Sequence, residues 1–178
     1  MLTYNDEIIL PFIIHYYQTA LTDFSFTIID NNSTDHTRTI ARQLGGRVHV
    51  YTSEGVDDIK YLSFKNNVWK ERRADWVIVS DSDELLNICD RQLLAMEAER
   101  ANMGRATRSF HMIDDADPKT IYEMRQGVFD TTGMWYKILL FKPSDIEEMN
   151  YQPGAHKCFP VLRAGCDDCA FRETTYPV

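Results

Sequence analysis

The stretch on which the fold turns is Ala74-Asp-Trp-Val-Ile-Val-Ser-Asp-Ser-Asp-Glu-Leu-Leu86. Val77, Ile78 and Val79 form a continuous apolar run, the pattern of a strand covered on both faces, and predict a strand over 76–80. The run stops at four polar residues, Asp81, Ser82, Asp83 and Glu84. An earlier segment, Phe26-Thr-Ile-Ile-Asp-Asn-Asn-Ser-Thr-Asp35, repeats the design, with an apolar strand over 24–29 followed by an all-polar loop over 30–35.

Working outward, helical and extended patterns alternate. A short strand over 2–4 precedes a helix over 7–21, in which Ile8, Phe12, Tyr16 and Ala20 recur every four residues. Pro11 falls in its first turns, where a missing N–H is tolerated. Ser33 or Thr34 is placed to cap a helix running to Leu44, which Gly45 and Gly46 stop. A strand over 47–51, a long helix from Asp57 or Asp58 to near Arg73, and a helix over 90–103 closed by Gly104 complete the series. Such alternation predicts a mostly parallel central sheet with helices on both faces. Ligands of such sheets bind beyond the carboxyl ends of the strands, where the two acidic segments fall. After Gly104 the rhythm changes to strands over 106–112, 121–124 and 136–141, with Ser144 and Glu147 spaced as a capping box. This second part reads as a smaller α+β half, and 178 residues suit a single domain over 1–178.

Composition narrows the function. The chain carries 27 acids against 19 bases, a net charge of −8, which disfavours binding a long nucleic acid. An anionic small ligand remains compatible if carboxylates hold a divalent cation to meet it. The longest apolar stretch, from Ile8 to His15, falls far short of the ~20 residues a membrane span needs. Residues 1–20 contain Asp6 and Glu7 but no Lys or Arg, unlike a signal peptide, so a cytoplasmic protein is expected. Neither a GxGxxG nor a GxxxxGK[ST] pattern occurs, so phosphates must be bound by some other device.

Asp81 and Asp83 stand two apart after a strand. In extended geometry their side chains point to one side, about 6–7 Å apart; in a turn they come closer. Either arrangement can hold Mg²⁺ or Mn²⁺, although acids after a strand can also simply begin a loop. Asp30 can accept hydrogen bonds from a ribose hydroxyl or a base N–H, or serve with Asn31, Asn32 and Ser33 as a turn and cap residue. Lys65 and Asn66 can reach a ligand from their helix or form a solvated face. Trp135 and Tyr136 suit a sugar ring or a core equally. Cys158, Cys166 and Cys169 with His156 have zinc-ligand chemistry, and also read as free thiols or a redox pair.

Taken together, Phe26–Asp35 and Ala74–Leu86 resemble the family 2 glycosyltransferases with the GT-A fold, in particular a short bacterial or phage type. The opening Asn5-Asp-Glu7 and Leu10-Pro-Phe12, and the later Phe141-Lys-Pro and Asn150-Tyr-Gln-Pro-Gly-Ala-His156, are similar to the same subgroup. The resemblance implies a sugar-nucleotide half over 1–104 and an acceptor-side half over 105–178. It implies that Asp30 contacts the base or ribose, that Glu7 lies near the nucleoside pocket, and that Asp81 and Asp83 form a DxD motif for ribose and Mn²⁺ or Mg²⁺, with His156 completing the metal shell. It also implies a UDP-sugar donor and transfer with inversion. Asp30-Asn-Asn-Ser33 departs from the common Asp-Asp-Gly-Ser, and Leu85 stands where the subgroup has Phe.

An inverting transfer needs a stabilised leaving diphosphate, a hydroxyl acceptor held in line, and a carboxylate to take its proton. Asp114 and Asp115, which end the strand over 106–112, are the candidate bases. Asn66, with Glu7, Asp30 and Asp81, completes the expected donor contacts; carbohydrate or another hydroxyl compound is the expected acceptor. A non-catalytic sugar-nucleotide-binding module is the main alternative. A nucleotidyltransferase is a third, opposed by Asn5-Asp-Glu7 where such enzymes carry a Gly-rich basic loop.

Overall fold

The computed structural model describes residues 1–53, 57–71, 73–106, 110–112, 126–130, 137–154, 157–166 and 171–174. The chain forms two compact units. The first is built mainly from Met1–Asp57 and Ser80–Asp90; the second takes Asp58–Val79 and most of the chain from Arg91 onward.

In the first unit, β1 (Leu2–Thr3), β2 (Thr27–Asp30) and β3 (Arg47–Val50) form a parallel sheet in the order β1-β2-β3. Helices α1 (Ile9–Ala20) and α2 (Thr37–Gln43) make the two crossovers. Leu10 and Ile14 of α1 meet Ala41 of α2 and Ile28 of β2 in one buried cluster, with Phe24, Phe26 and Val48 around it. Ile29 points to the opposite face and is buried too, so the apolar pair at the end of β2 supplies both faces of the sheet, as its sequence implied.

Gly45 and Gly46 end α2 as expected. Gly45 has φ +84°, its N–H bonds Arg42 O, and the N–H of Gly46 bonds Ala41 O, the two bonds of a Schellman motif. Gly46 is required for a second reason: a Cβ there would lie 2.2 Å from Phe26 Cε2. The start of α2 differs from expectation. The helix begins at Thr37, and neither Ser33 nor Thr34 caps it. Asp35 does so instead, accepting the N–H of Thr37 at 2.9 Å, because Ser33 is committed to Asp30.

The second unit holds α3 (Asp58–Asn67), a 3₁₀ turn over Val68–Glu71, β4 (Val77–Ile78), α4 (Asp90–Ala98, which starts at the boundary), β5 (Met103–Ala106), β6 (Phe110–Met112), β7 (Gly127–Phe129), β8 (Ile138–Phe141), β9 (Ile146–Glu148), β10 (Val161–Leu162) and β11 (Phe171–Thr174). A mixed sheet runs β11-β5-β8-β4, while β9 with β10 and β6 with β7 form antiparallel pairs. Met96, Met103, Leu140 and Phe141 are fully buried, and Trp69 meets Phe141 edge-on with ring centroids 5.0 Å apart.

Three elements differ from the sequence expectation. The strand expected over 76–80 is only Val77–Ile78, paired antiparallel with the apolar β8 through Phe141 and Leu140. The helix expected to reach residue 103 ends at Ala98, where Arg100 takes φ +57° and Met103 and Gly104 turn into β5. Ser144 and Glu147 do not open a helix: Ile146–Glu148 pairs with Val161–Leu162, and the Ser144 hydroxyl bonds its neighbour Asp145. Cross-strand pairing wins over the local capping pattern. The strand expected over 121–124 lies outside the described residues.

Candidate functional site

The first unit gathers its polar loops at the carboxyl end of the parallel sheet. Thr3 pairs with Asp30. On the other side of β1, Leu2 forms an isolated parallel bridge with Asp81, and Ser82 N–H donates to Leu2 O at 3.2 Å. The chain at 81 therefore extends the sheet beyond β1, giving the order β3-β2-β1-Asp81. Successive strands run outward from β1 on one side while residue 81 returns on the other, so β1 lies at the switch point where such sheets bind ligands.

Three loops meet there. Residues 4–7 follow β1, residues 31–36 follow β2, and residues 81–84 form the third. The first two interlock through hydrogen bonds between main chain and side chains. Asn5 N–H donates to Ser33 Oγ at 3.0 Å, Thr34 N–H to Asn5 Oδ1 at 2.8 Å, Glu7 N–H to Asp35 Oδ2 at 3.1 Å, and His36 N–H to Glu7 Oε2 at 2.9 Å. Asn5 and Asn32 have φ of +56° and +53°, a left-handed conformation that Asn adopts more readily than other residues with a Cβ.

Asp30 is 0% exposed. Its Oδ1 accepts the Ser33 hydroxyl at 2.5 Å, its Oδ2 accepts Ser33 N–H at 3.0 Å, and Arg38 Nε lies 3.6 Å from Oδ2. Arg38 also donates to Ser33 O at 2.8 Å. The acid thus shapes the loop that follows it. Glu7 is engaged with His36 through both the backbone N–H and the ring Nδ1, the latter at 2.8 Å. The His36 backbone bond is the leading reason the Glu7 carboxyl sits below its ordinary pKa, with the ring bond second. For Asp35, burial pushes the pKa up, but hydrogen bonds from the Thr37 hydroxyl, Thr37 N–H and Glu7 N–H together hold it below the ordinary value.

The chain turns at Asp81, with Glu84 N–H donating to Asp81 O at 3.2 Å. Of the two arrangements considered for Asp81 and Asp83, the turn is therefore the one adopted. Asp81 is partly exposed and Asp83 is exposed. Among the described residues the Asp83 carboxylate has no hydrogen-bond or ion-pair partner. Two hydroxyls beside this edge, Thr3 Oγ1 and Ser80 Oγ, are buried without a partner among the described residues. Two carboxylates on one tight turn suit Mg²⁺ or Mn²⁺, which commonly takes one or two protein carboxylates and completes its shell with phosphate oxygens and water. Among the described residues, no group of three or more His, Cys, Asp or Glu is placed to hold a metal ion by itself.

Asn66 belongs to the second unit, where its Oδ1 accepts Tyr151 N–H at 2.8 Å and its Nδ2 donates to Tyr151 O at 3.5 Å. Lys65 is buried on the same helix, with its ammonium 4.5 Å from the Tyr61 ring centroid. Asp114, Asp115, Trp135, Tyr136, His156 and Cys169 fall outside the described residues. Cys158 and Cys166 are free thiols, and burial pushes the Cys158 thiol up to about 11. The sequence reading missed Asp6, Asp35 and Thr37. Each is a polar residue three to seven positions beyond a strand end, in or directly after the polar loops that follow β1 and β2.

No helix among the described residues is long and apolar enough to cross a membrane. No curated protein matches the chain. The crystal structure of S. aureus TarS superposes with a TM-score of 0.52 over 80% of this chain and 27% of that one, at 14% identity. The structure of S. aureus TarS 1-349 gives a TM-score of 0.48 over 80% of this chain and 45% of that one, also at 14% identity. The chain thus spans less than half the length of either solved protein. The first likeness agrees with a GT-A-like α/β architecture: a helix-flanked parallel sheet with a smaller, partly antiparallel region. The family model described as glycosyl transferase family 2 matches residues 1–170, which include every loop at the sheet's carboxyl edge. On that match, the chain belongs to glycosyltransferase family 2.

Proposed function

We propose that this chain binds a nucleoside-diphosphate sugar, with UDP as the nucleotide, and transfers the sugar with inversion to a hydroxyl of a carbohydrate or similar acceptor. The observation that carries the reading is the placement of Asp81 and Asp83 on one turn beside β1, at the switch point of the parallel sheet, across that strand from Asp30. In this reading Asp81 and Asp83 hold a divalent cation, with His156 as a further ligand. A bound Mn²⁺ or Mg²⁺ supplies positive charge against the charge that builds on the departing diphosphate. Asp30 and Arg38 keep the loop over residues 31–36 in shape, and that loop with Glu7 forms one wall for the nucleoside. Asp114 or Asp115 takes the proton of the acceptor hydroxyl.

The test is calorimetric titration of the chain with UDP in Mn²⁺ and again with the cation chelated, beside a transfer assay across UDP-sugars and hydroxyl acceptors. Cation-dependent UDP binding with turnover, both lost in Asp83→Ala, is the expected result. Cation-independent binding, or no binding, overturns the reading. Binding without turnover across the panel makes the chain a sugar-nucleotide-binding module.

A further inference from the structure

Asp6 ties the end of β1 to the turn that carries Asp81 and Asp83. Its Oδ2 accepts Tyr4 N–H at 2.9 Å and the Ser82 hydroxyl at 2.6 Å. Its main chain is held as well: its N–H donates to Thr37 Oγ1 at 2.7 Å, and its carbonyl accepts Leu10 N–H at 3.0 Å. The beginnings of both helices of the unit therefore fix the backbone of Asp6, and its carboxylate is directed at the one residue between the two aspartates. Ser82 is only 7% exposed, while Asp83 beside it is exposed. Most buried hydroxyls find a hydrogen-bond partner, and Asp6 is the acceptor for this one. The backbone bonds that Ser82 and Glu84 donate around the turn are long, each 3.2 Å, so the short charge-assisted bond to Asp6 is the firmest of these anchors.

We propose that Asp6 is a positioning residue for the Asp81–Asp83 pair, setting their turn through the Ser82 hydroxyl before a cation arrives. Without such an anchor, two carboxylates on a short turn repel each other and the turn must be ordered when the cation binds. The proposal rests on the reading of Asp81 and Asp83 as cation ligands, and adds a residue that acts on them through the Ser82 hydroxyl. Supporting groups of this kind typically alter metal affinity about 10- to 100-fold when removed.

The experiment uses the full chain and Mn²⁺ alone, with free Mn²⁺ followed by electron paramagnetic resonance, and hydrogen exchange at residues 82–84 measured without metal. Asp6→Ala and Ser82→Ala are each expected to weaken Mn²⁺ affinity by roughly 10- to 100-fold and to speed exchange in the turn. The double variant should be no worse than either single one, because both remove the same bond. Asp6→Asn, which keeps an acceptor oxygen, should recover most of the affinity. If Asp6→Ala does not fold, Ser82→Ala decides alone, since it leaves every main-chain bond of Asp6 in place. Wild-type affinity in Ser82→Ala, or additive losses in the double variant, overturns the role of Asp6 while leaving the cation reading intact. Failure of the wild-type chain to bind Mn²⁺ overturns the cation reading, and the role of Asp6 with it.

Discussion

Asp30 and Asp81 stand on opposite sides of one strand, Asp30 in register with Thr3 and Asp81 bridged to Leu2. Each neighbour in a sheet lies ~4.8 Å away, which puts the two backbones roughly 10 Å apart at the same edge. The two acids differ sharply in surroundings. Asp30 is sealed and bonded to Ser33 and Arg38, whereas Asp83, two residues beyond Asp81, is exposed and without a partner among the described residues.

That contrast separates two variants. Asp83→Ala should leave stability within about 0.5 kcal/mol of wild type, because it removes no internal bond, while abolishing cation-dependent UDP binding. Urea denaturation followed by calorimetry checks both halves. A large loss of stability, or retained Mn²⁺-dependent binding, contradicts it.

Asp30→Ala should behave in the opposite way. It strips the acceptor from the Ser33 hydroxyl and N–H and leaves Arg38 without its carboxylate. Removing one partner of a buried, charge-assisted network costs about 3–5 kcal/mol. A clear drop in the urea midpoint at unchanged slope is the expected outcome, and Asp30→Asn should lie between, since it keeps one acceptor oxygen.

Acid should loosen the interlocked loops before it unfolds the core. Glu7 and Asp35 both have folded-state pKa values below their ordinary ones. The unfolded chain therefore binds these protons first as pH falls, and the stability they contribute is complete above the ordinary carboxylate range. It erodes below about pH 4 and is lost as the pH passes through the depressed folded values. Urea melts from pH 7 to pH 3 should show that decline, and Asp35→Asn should be less stable at pH 7 and flatter in acid.

The parallel sheet and its acidic edge were legible because each local signal there agreed with the global one. Ile28 and Ile29 are apolar toward both faces, the polar break comes at Asp30, and Gly45 sits where a left-handed residue is needed. What could not be read was which polar residue answers which. Ser33 is a good cap by type, yet Asp30 and Asn5 hold it, and Asp35 caps α2 instead. Residue type fixes what a side chain can bond; the folded loop decides what it does bond, through neighbours such as Asp30, three residues away, and through Asn5, 28 residues away. The same holds for Asn66, whose helix position suited a ligand contact but whose amide clasps the Tyr151 backbone. Asn66→Ala should speed exchange at the Tyr151 amide and lower stability by about 1–2 kcal/mol, with Asn66→Asp restoring the acceptor half alone.

Arg100 offers the last test, because α2 and α4 end in the same motif with different residues at the left-handed position. In α2 the bonds are Gly45 N–H to Arg42 O and Gly46 N–H to Ala41 O; in α4 they are Arg100 N–H to Glu97 O and Ala101 N–H to Met96 O. Gly45 has φ +84° without penalty, while Arg100 carries a Cβ at φ +57°. A side chain in that region costs about 1–2 kcal/mol, partly offset in any Gly replacement by the greater freedom of the unfolded chain. Arg100→Gly should therefore stabilise the chain by about 0.5–1 kcal/mol, seen as a higher urea midpoint with unchanged slope. Destabilisation instead would mean that the guanidinium makes a contact worth more than the strain its backbone carries.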